Sequence, residues 1–371
     1  MGRTARRPPM RRKRVTVGEE TPQPVADAVD TTRNVTIEDV AVAAHVSTAT
    51  VSRVMNNPLV VAEETRERVL AAIERLRFRP SSLGRNLATR RTGTIGLVIA
   101  DITNPFYPEV VRGVEQAASS YDMSLLLYDT AEDSEREAQA LRLLGERHVD
   151  GVIICASRLS EERLTTLARV DTPLVFINRR PTVPSIGTVD VDQEVGVRAA
   201  VAHLSALGHR RIAYIGGPEQ SQVQQRRLGA FTGACAERGI AVPASSIVAA
   251  SPTILGGKDA ARQLLHGDTT RPTAILAYND LIAIGVIMAA REDGIAVPGG
   301  LSIVGHDDIP LAGVLQPPLT TVRQPMRELG ARAVELLYAR LQPGAAPSPA
   351  PALIRLTPTL MARASTGPAP T

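Results

Sequence analysis

Side chains that could hydrogen-bond to DNA are concentrated between residues 47 and 56. The guanidinium of Arg53 can donate two parallel hydrogen bonds to O6 and N7 of one guanine. Thr48 and Ala49 are small, which lets a helix approach the base edges of a major groove closely. Nearby hydroxyl groups suit phosphate oxygens, and such contacts fix register without reading sequence. The side chains predicted to contact DNA are Thr36, upstream of this region, and Ser47, Thr48, Ala49, Thr50, Ser52, Arg53 and Asn56 within it.

Two short helices joined by a tight turn would position these side chains. Thr36 is a suitable N-cap for the first helix, because Asp39 then places a carboxylate near the free amides. That helix ends at His45, and Ser47 can cap the second helix. Helical periodicity puts apolar side chains on one side of the second helix and the candidate base readers on the other. The pattern predicts a helix-turn-helix, and an ordinary helical hairpin within a larger core is the alternative.

From Thr94 onward, β-like and helix-like segments alternate. The strand candidates have near-continuous apolar runs, as strands buried on both faces of a parallel sheet do. Helix patterns between them predict a doubly wound α/β fold, in which ligands bind beyond the carboxyl ends of the strands. The strand candidates are TIGLVIAD, MSLLLYD, VDGVIICA, PLVFIN, TVDVD, RIAYIGG, AILAY and LSIVGHD.

Polar side chains follow several of these strands, and Arg227 lies on a predicted helix. A guanidinium among carboxylates and amides suits the hydroxyl groups of a sugar, because carboxylates accept paired O–H hydrogen bonds. Each side chain could instead cap a helix or lie in a surface loop, and this alternative is favoured for Asp280 and Asp308. The polar residues at strand ends include Asn104, Arg179, Asn279, Asp280, Asp307 and Asp308.

The order of these motifs resembles the LacI/GalR (lactose-repressor) family of bacterial transcriptional regulators. The similarity begins with VTIEDVAVAAHVSTATVSRVMNN at Val35 and continues through TRERVLAAIERLRFRP. It implies a small all-α helix-turn-helix DNA-binding domain plus a two-lobed α/β, periplasmic-binding-protein-like (type I) sensor domain. Further matching segments, to about Ala364, are GLVIADITNPFYPEVVRGVEQAA, VDGVIICAS, HLSALGHRRIAYIGGP, RRLGAF, AYNDLIAIGV, SIVGHDDIP and LTTVRQP.

The resemblance implies roles for residues of the DNA-binding part. Thr48, Ala49 and Arg53 would read bases, and a hinge helix carrying Leu87 and Ala88 would enter the minor groove. An inserted leucine can unstack a base step and bend the duplex, so that more protein meets the DNA. Outside this context, Leu87 would be an ordinary apolar residue of an interdomain linker.

Three residues depart from the family pattern. His45 stands where glycine is usual, so a left-handed backbone there is carried by a residue that tolerates it less well. Ala62 stands where serine commonly caps the third helix, which should cost about 1 kcal/mol of local stability. Gly84 lies inside the hinge helix, where glycine costs about 1 kcal/mol relative to alanine. We therefore expect the hinge helix to form only when two copies meet on DNA.

The resemblance also implies an effector cleft between the two lobes. Sugar sites often stack a ring on an aromatic side chain, and Phe106 is the best placed of only four Phe and six Tyr, with no Trp in the chain. Purines or other small metabolites therefore stay open as effectors. The predicted effector-binding residues are Asn104, Phe106 and Arg179 on one side, and Arg227, Asn279 and Asp307 on the other.

The predicted domain boundaries follow from composition and resemblance. Residues 1–34 form a disordered basic tail, 35–80 the helix-turn-helix domain, and 81–92 the hinge helix and linker. Residues 93–364 form the effector-binding domain, in which the chain crosses between lobes near Val191, Gln324 and Gln342. The N-lobe takes about 93–191 and 324–342, and the C-lobe about 192–323 and 343–364. Residues 365–371 are a short tail.

Charge and cysteine content fit a DNA-binding protein of the cytoplasm. Residues 1–92 contain 17 of the 42 Lys and Arg residues and 10 of the 38 Asp and Glu residues, a net charge of +7, whereas the remainder has −3. The run from Arg3 to Arg14 could contact phosphates or be a solvated tail. Cys155 and Cys235 lack metal or redox spacing. The sequence contains neither a membrane-span pattern nor a secretory signal.

Motifs for catalysis are missing from the sequence. The glycines before Lys258 do not complete a P-loop, no GxGxxG follows the first strand, and neither GxSxG nor a metal-spaced histidine pair occurs. A transport-type sugar receptor would have similar lobes, but the helix-turn-helix argues against it. We therefore predict a repressor without enzymatic activity, cofactor or metal. It would bind a pseudo-palindromic operator as a homodimer and respond allosterically to a small molecule such as a sugar.

Overall fold

The computed structural model describes residues 35–78, 91–167, 172–182, 186–267, 271–342 and 352–370. The chain divides near residue 81 into two compact units. We call the described residues 35–78 the head and those from 91 to 370 the receptor. The basic tail, Gly84, Leu87, Ala88 and the side chain of Asn56 lie outside this description. Within it, no helix is long and apolar enough to cross a membrane.

Three helices and one short turn form the head. Helix α1 spans Ile37–Ala44, α2 spans Thr48–Asn56 and α3 spans Glu63–Leu76, with a 3-10 turn at Pro58–Val60. Their inner faces share one apolar core, to which each helix contributes side chains at helical spacing. The fully or almost fully buried members are Val40, Ala41, Ala44, Val51, Val54, Val69, Ala72 and Phe78.

The predicted helix ends of the head are confirmed. Thr36 Oγ1 accepts from the Asp39 amide at 3.3 Å, while Asp39 Oδ2 accepts from the Thr36 amide at 2.8 Å, completing a capping box. His45 adopts the left-handed conformation at φ 53°. Ser47 Oγ accepts from the Thr50 amide at 3.2 Å. Ala62 begins α3 without any side-chain hydrogen bond to the helix.

The N-lobe of the receptor is built on a six-stranded parallel sheet. Its strands are β1 (Thr94–Ile99), β2 (Ser124–Asp129), β3 (Gly151–Cys155), β4 (Leu174–Ile177), β5 (Gly187–Val191) and β11 (Leu353–Leu356). Their order is β11-β5-β4-β3-β1-β2. Every residue of β3, β4 and β5 is buried, as the continuous apolar runs of β3 and β4 predict. The helices of this lobe are α4 (Phe106–Ser120), α5 (Ser134–Glu146), α6 (Glu161–Leu167) and α11 (Met326–Leu341).

The C-lobe repeats this architecture. Its strands are β6 (Ile212–Gly216), β7 (Ile247–Ala249), β8 (Ala274–Ala277), β9 (Ser302–Asp307), β10 (Thr320–Arg323) and β12 (Thr359–Met361). The sheet order is β12-β10-β9-β8-β6-β7, with only β12 antiparallel to its neighbour among the described pairings. The helices are α7 (Gln193–Ala206), α8 (Gln222–Ala236), α9 (Ile254–His266) and α10 (Asp280–Glu292). The predicted fold class is confirmed.

Helix α11 returns the chain from the C-lobe to the N-lobe. It packs against α4 so closely that a Cβ at Gly113 would lie 2.1 Å from the Arg327 carbonyl oxygen. On the facing helix, a Cβ at Gly330 would lie 2.3 Å from the Val110 carbonyl oxygen. Only glycine permits this approach at both positions. Strand β5 of the N-lobe sheet ends at Val191, and strand β10 of the C-lobe sheet ends at Arg323, one residue before Gln324.

The third crossing lies later than predicted, and the C-lobe assignment of residues 343–364 is wrong in part. Strand β11 pairs in parallel with β5, with Leu353 opposite Thr188, and so belongs to the N-lobe sheet. The chain changes lobes between Leu356 and Thr359 rather than near Gln342. An edge strand with one solvated face alternates in burial, so β11 lacks the continuous apolar run that marks the inner strands.

Residues 365–370 pack on the C-lobe, so the prediction of a simple tail is wrong. Ser365 is fully buried, accepts from the Thr320 amide at 2.8 Å and donates to the Ile303 carbonyl at 2.6 Å. His209 is fully buried and hydrogen-bonds through Nε2 to the Gly367 carbonyl at 3.1 Å. Small polar residues in this segment supply hydrogen-bond partners to buried polar groups of the sheet, a role that amino-acid composition does not reveal.

Candidate nucleic-acid interface and ligand cleft

Helix α2 presents the predicted base readers on one exposed face of the head. Thr48, Ala49 and Arg53 are exposed, whereas Val51 and Val54 are buried against the other helices. Within residues 35–78, no carboxylate forms an ion pair with Arg53. An exposed, short-chained face that carries one guanidinium is compatible with insertion in a major groove.

The hydroxyl groups predicted to contact phosphates also stabilise the helix starts. Thr36 Oγ1 donates to Asp39 Oδ2 at 2.9 Å, and the Ser47 and Thr50 hydroxyls are 3.0 Å apart. Ser52 lies half-buried on α2. Because Ser47 and Thr50 hold the start of α2, their removal would disturb this helix as well as any phosphate contact.

The C-lobe places Arg227 and Asp307 beside each other at the carboxyl edge of its sheet. Arg227, on α8, is buried and donates through Nε to Gln193 Oε1 at 2.8 Å and through Nη1 to the Tyr278 carbonyl. Its guanidinium carbon lies 4.9 Å from the centre of the Tyr278 ring. Its Nη2 is 3.9 Å from Asp307 Oδ1, which is too long for a direct hydrogen bond.

Asp307 ends β9 in a strained backbone conformation, with φ 122°. Its Oδ1 accepts from Gln324 Nε2 at 2.6 Å. Burial raises the pKa of Asp307 to about 7, and the Arg227 charge and the Gln324 hydrogen bond oppose this shift. The carboxyl is therefore held close to the point where it gains or loses a proton at neutral pH.

A second buried carboxyl, Asp280, lies close to Asp307. It is not the helix cap or surface charge that the sequence favours, because it accepts from Thr321 Oγ1 at 2.5 Å and from the Ile309 amide at 2.8 Å. Burial, followed by the charge of Asp307, raises the pKa of Asp280 well above its ordinary value. Asp308 forms ion pairs with Arg323 and Arg363, both at 2.6 Å, in agreement with a structural role.

Asn279 has a clear structural role. Its side-chain oxygen accepts from the Ile282 amide at 2.9 Å and so caps α10, while its nitrogen donates to the Pro252 carbonyl at 3.2 Å. The residue still lies at the carboxyl edge of the C-lobe sheet, after β8. If the Asn279 side chain contacts a ligand, it does so while these two hydrogen bonds already hold it in place.

The predicted residues of the N-lobe lie after β1 and β4. Asn104 Oδ1 accepts from the Phe106 amide at 3.1 Å at the start of α4. Phe106 is buried and contacts Tyr107 edge to face, with ring centres 5.2 Å apart. Arg179 donates to Glu161 at 2.8 Å and to the Ser157 carbonyl at 3.3 Å, while its buried Nε has no partner among the described residues.

The structure brings Arg227 and Asp307 together, while no direct bond in the described residues joins them to Asn104, Phe106 or Arg179. The two lobes nevertheless meet, because Phe106 shares one apolar cluster with side chains of α10. Sequence reasoning missed Gln193 and Gln324, which hold Arg227 and Asp307 and lie 3.5 Å apart. Their position directly after two lobe crossings is the signal that could have identified them.

The shifted pKa of Asp307 predicts a pH-dependent stability. Between the unfolded value of 3.8 and the folded value of about 7, the folded state binds a proton that the unfolded state lacks. The free energy of unfolding should therefore fall as pH rises from about 4 to about 7 and level off above that. Asp307→Asn cannot ionise, so we expect its apparent Tm to vary less between pH 5 and pH 8, as measured by calorimetry.

The matched control for this prediction is Asp259→Asn, since Asp259 is an exposed carboxyl of the same lobe. It should keep the pH profile of the parent protein. Asp280 contributes a slope of the same sign, so the profile of Asp307→Asn flattens without vanishing. An unchanged slope in Asp307→Asn would mean that Asp307 stays ionised in the folded protein.

Comparison with known proteins identifies both units. A family described as bacterial regulatory proteins, lacI family, matches residues 36–81, and a periplasmic binding protein-like domain matches residues 201–366. The HTH-type transcriptional repressor PurR of Photobacterium profundum is 37% identical over 83% of this chain and 92% of its own length. The ribose operon repressor of Escherichia coli is 36% identical over 89% and 99%, respectively.

A solved structure supports the same relationship. The crystal structure of the Lac repressor dimer bound to operator and the anti-inducer ONPF superposes with a TM-score of 0.81 and 29% sequence identity. The similarity covers 90% of this chain and 100% of that one. One solved structure therefore resembles this chain over both the head and the receptor.

Proposed function

The chain belongs to the lacI family of bacterial regulatory proteins, and we propose that it represses transcription as a dimer on a pseudo-palindromic operator, controlled by a small-molecule effector. Its relatives are transcriptional repressors, not enzymes. The head supplies the DNA reader and the receptor supplies the sensor. A regulator of this kind works where its DNA is, so we place it in the cytoplasm, at the nucleoid.

The observation that carries the effector site is the pair of Arg227 and Asp307. With 3.9 Å between Nη2 and Oδ1, the two groups do not saturate each other. One ligand hydroxyl can accept from the guanidinium and donate to the carboxylate, and neighbouring hydroxyls of a sugar ring repeat this pattern. We therefore propose a sugar or related metabolite as effector. The further candidate contacts are Asn104, Phe106, Arg179 and Asn279.

On DNA, two heads would read two half-sites related by the dimer axis, as the operator-bound Lac repressor dimer suggests. Thr48, Ala49 and Arg53 would contact bases, with Thr36, Ser47, Thr50, Ser52 and Asn56 nearer the backbone. Leu87 and Ala88 would enter the minor groove. The effector controls this binding only if its affinity differs between the DNA-binding state and the released state.

The proposal is tested first by selecting bound sequences from random DNA. Sugars and nucleobases are then screened for compounds that change the fluorescence polarisation of the labelled, selected DNA in the presence of the protein. The label is placed on the DNA because the protein has no tryptophan. We expect a pseudo-palindromic sequence whose binding weakens steeply with salt, and at least one compound that alters it. Enrichment of no sequence, together with sugar binding, would instead favour a transport-type receptor.

A further inference from the structure

One face of helix α8, which belongs to the C-lobe, contacts the N-lobe. Gln222 and Arg226 are four residues apart and therefore lie on the same side of the helix. Both hydrogen-bond to N-lobe residues, namely Arg180 and Asp190, whereas the neighbouring Arg227 binds within the C-lobe. Of two adjacent residues on one helix, Arg226 therefore binds the opposite lobe, and Arg227 belongs to the candidate effector site.

The strongest contact of this face is an ion pair with Asp190. The Asp190 side chain, on β5, is fully buried. Its Oδ2 accepts from Arg226 Nη1 at 2.6 Å and its Oδ1 from Arg226 Nη2 at 2.9 Å. Arg180 Nε, from the N-lobe itself, donates to Oδ2 at 2.5 Å. Because a buried carboxylate needs its partners, separation of α8 from β5 would leave this charge only half-satisfied.

Gln222 adds a second contact, one helical turn away. Its side-chain oxygen accepts from the Arg180 amide at 3.0 Å, and its nitrogen donates to the Arg180 carbonyl at 3.2 Å. The same nitrogen lies 3.3 Å from Glu161 Oε1, a carboxylate that is also paired with Arg179 at 2.8 Å. The amide side chain therefore pairs with both backbone groups of Arg180, much as a residue of an antiparallel neighbouring strand would.

We propose that Gln222 and Arg226, bound to Arg180 and Asp190 respectively, form an interlobe latch that holds the two lobes of the receptor in the arrangement described above. The latch begins one residue from Arg227, so a ligand that moves Arg227 also moves the latch, and this coupling rests on the effector site proposed above. Gln222, Arg226 and Asp190 act here as positioning residues, because they need not touch the ligand.

Distances between spin labels in the full-length protein test the latch without DNA or ligand. Labels on Glu162→Cys and Asp259→Cys, which are exposed on the N-lobe and C-lobe, report the separation of the two lobes. The native Cys155 and Cys235 are buried, which protects them from labelling. Double electron–electron resonance should give one narrow distance distribution for the parent protein. A second population with a longer distance should be added in Gln222→Ala, Arg226→Gln and Asp190→Asn.

Two control variants remove similar side chains without crossing the lobes. Among the described residues, the Gln225 side chain, on the same turn of α8, donates to the Glu219 carbonyl of its own lobe, and Arg198 pairs with Glu237. Gln225→Ala and Arg198→Gln should keep the parental distance. If Asp190→Asn fails to fold, the two α8 variants decide. Parental distances in folded Gln222→Ala and Arg226→Gln, or equal opening in the controls, would overturn the latch.

A double variant separates the latch from general loosening. Arg226→Gln combined with Asp190→Asn should open the receptor no further than Asp190→Asn alone, because that single variant already weakens the contact with Arg226. Failure of the DNA selection described above would remove the proposed function yet leave these distances interpretable. Unchanged distances with successful DNA selection would remove the latch alone.

Discussion

Replacing Arg227 with alanine is expected to abolish the effector response while leaving operator affinity within about twofold of the parent protein. The guanidinium is a charged donor held beside Asp307, and a ligand bound in the cleft would lose a charge-assisted hydrogen bond in a buried site. Removing such a partner costs about 2–5 kcal/mol, so effector affinity should fall at least about 30-fold.

The receptor should stay folded in this variant for a specific reason. Arg227 lowers the pKa of Asp307, which burial raises to about 7. Without Arg227, Asp307 can take up a proton at neutral pH and so avoid becoming an unpaired buried charge. Gln193 and the Tyr278 carbonyl lose a donor, and part of that loss can be met by water in the vacated space.

Operator affinity and effector response are measured by titrating the protein into the same labelled DNA, with and without the compound found in the screen, and recording fluorescence polarisation. Arg227→Lys is the informative companion, because it keeps the charge but lacks the planar fork of donors. We expect it to bind DNA normally and to respond weakly. A retained response with parental effector affinity in Arg227→Ala would place the effector site elsewhere.

Local features of the head could be predicted because they depend on few neighbouring residues. Thr36 and Asp39 determine the first helix start, Ser47 the second, and the left-handed turn at His45 follows from its place between the two caps. Inner strands such as β3, β4 and β8 could be predicted for a different reason. They are buried on both faces, so their apolar runs are continuous whatever packs on them.

Features that depend on distant partners escaped prediction. Strand β11 is recognisable only through its pairing with β5, and Ser365 matters only because Thr320 and Ile303 need partners. The same holds for the cleft. Asn279 follows a strand as a ligand-binding residue would, yet its side chain is held as a helix cap. Asp190 lies within a strand rather than at its end, so nothing local indicates its pairing with Arg226.

Replacing Arg53 with alanine is expected to have the largest effect on DNA recognition. A bidentate contact to guanine is worth about 1–3 kcal/mol of discrimination, and a dimer loses it in both half-sites. Specific affinity should therefore fall at least about 30-fold, with preference for guanine lost at one symmetric pair of positions. Random-sequence selection repeated with the variant measures both effects at once.

The exposed Arg68 of α3 provides the matched control, because Arg68→Ala removes the same charge from another helix of the head. If Arg68 contacts phosphate at all, its loss should weaken binding to every sequence alike and reduce the salt dependence, with the selected sequence unchanged. Arg53→Lys should keep much of the non-specific affinity and only part of the base preference, because an ammonium group can donate to O6 and N7 but lacks the planar fork of donors. The direct-readout argument for α2 fails if Arg53→Ala still selects the parental sequence.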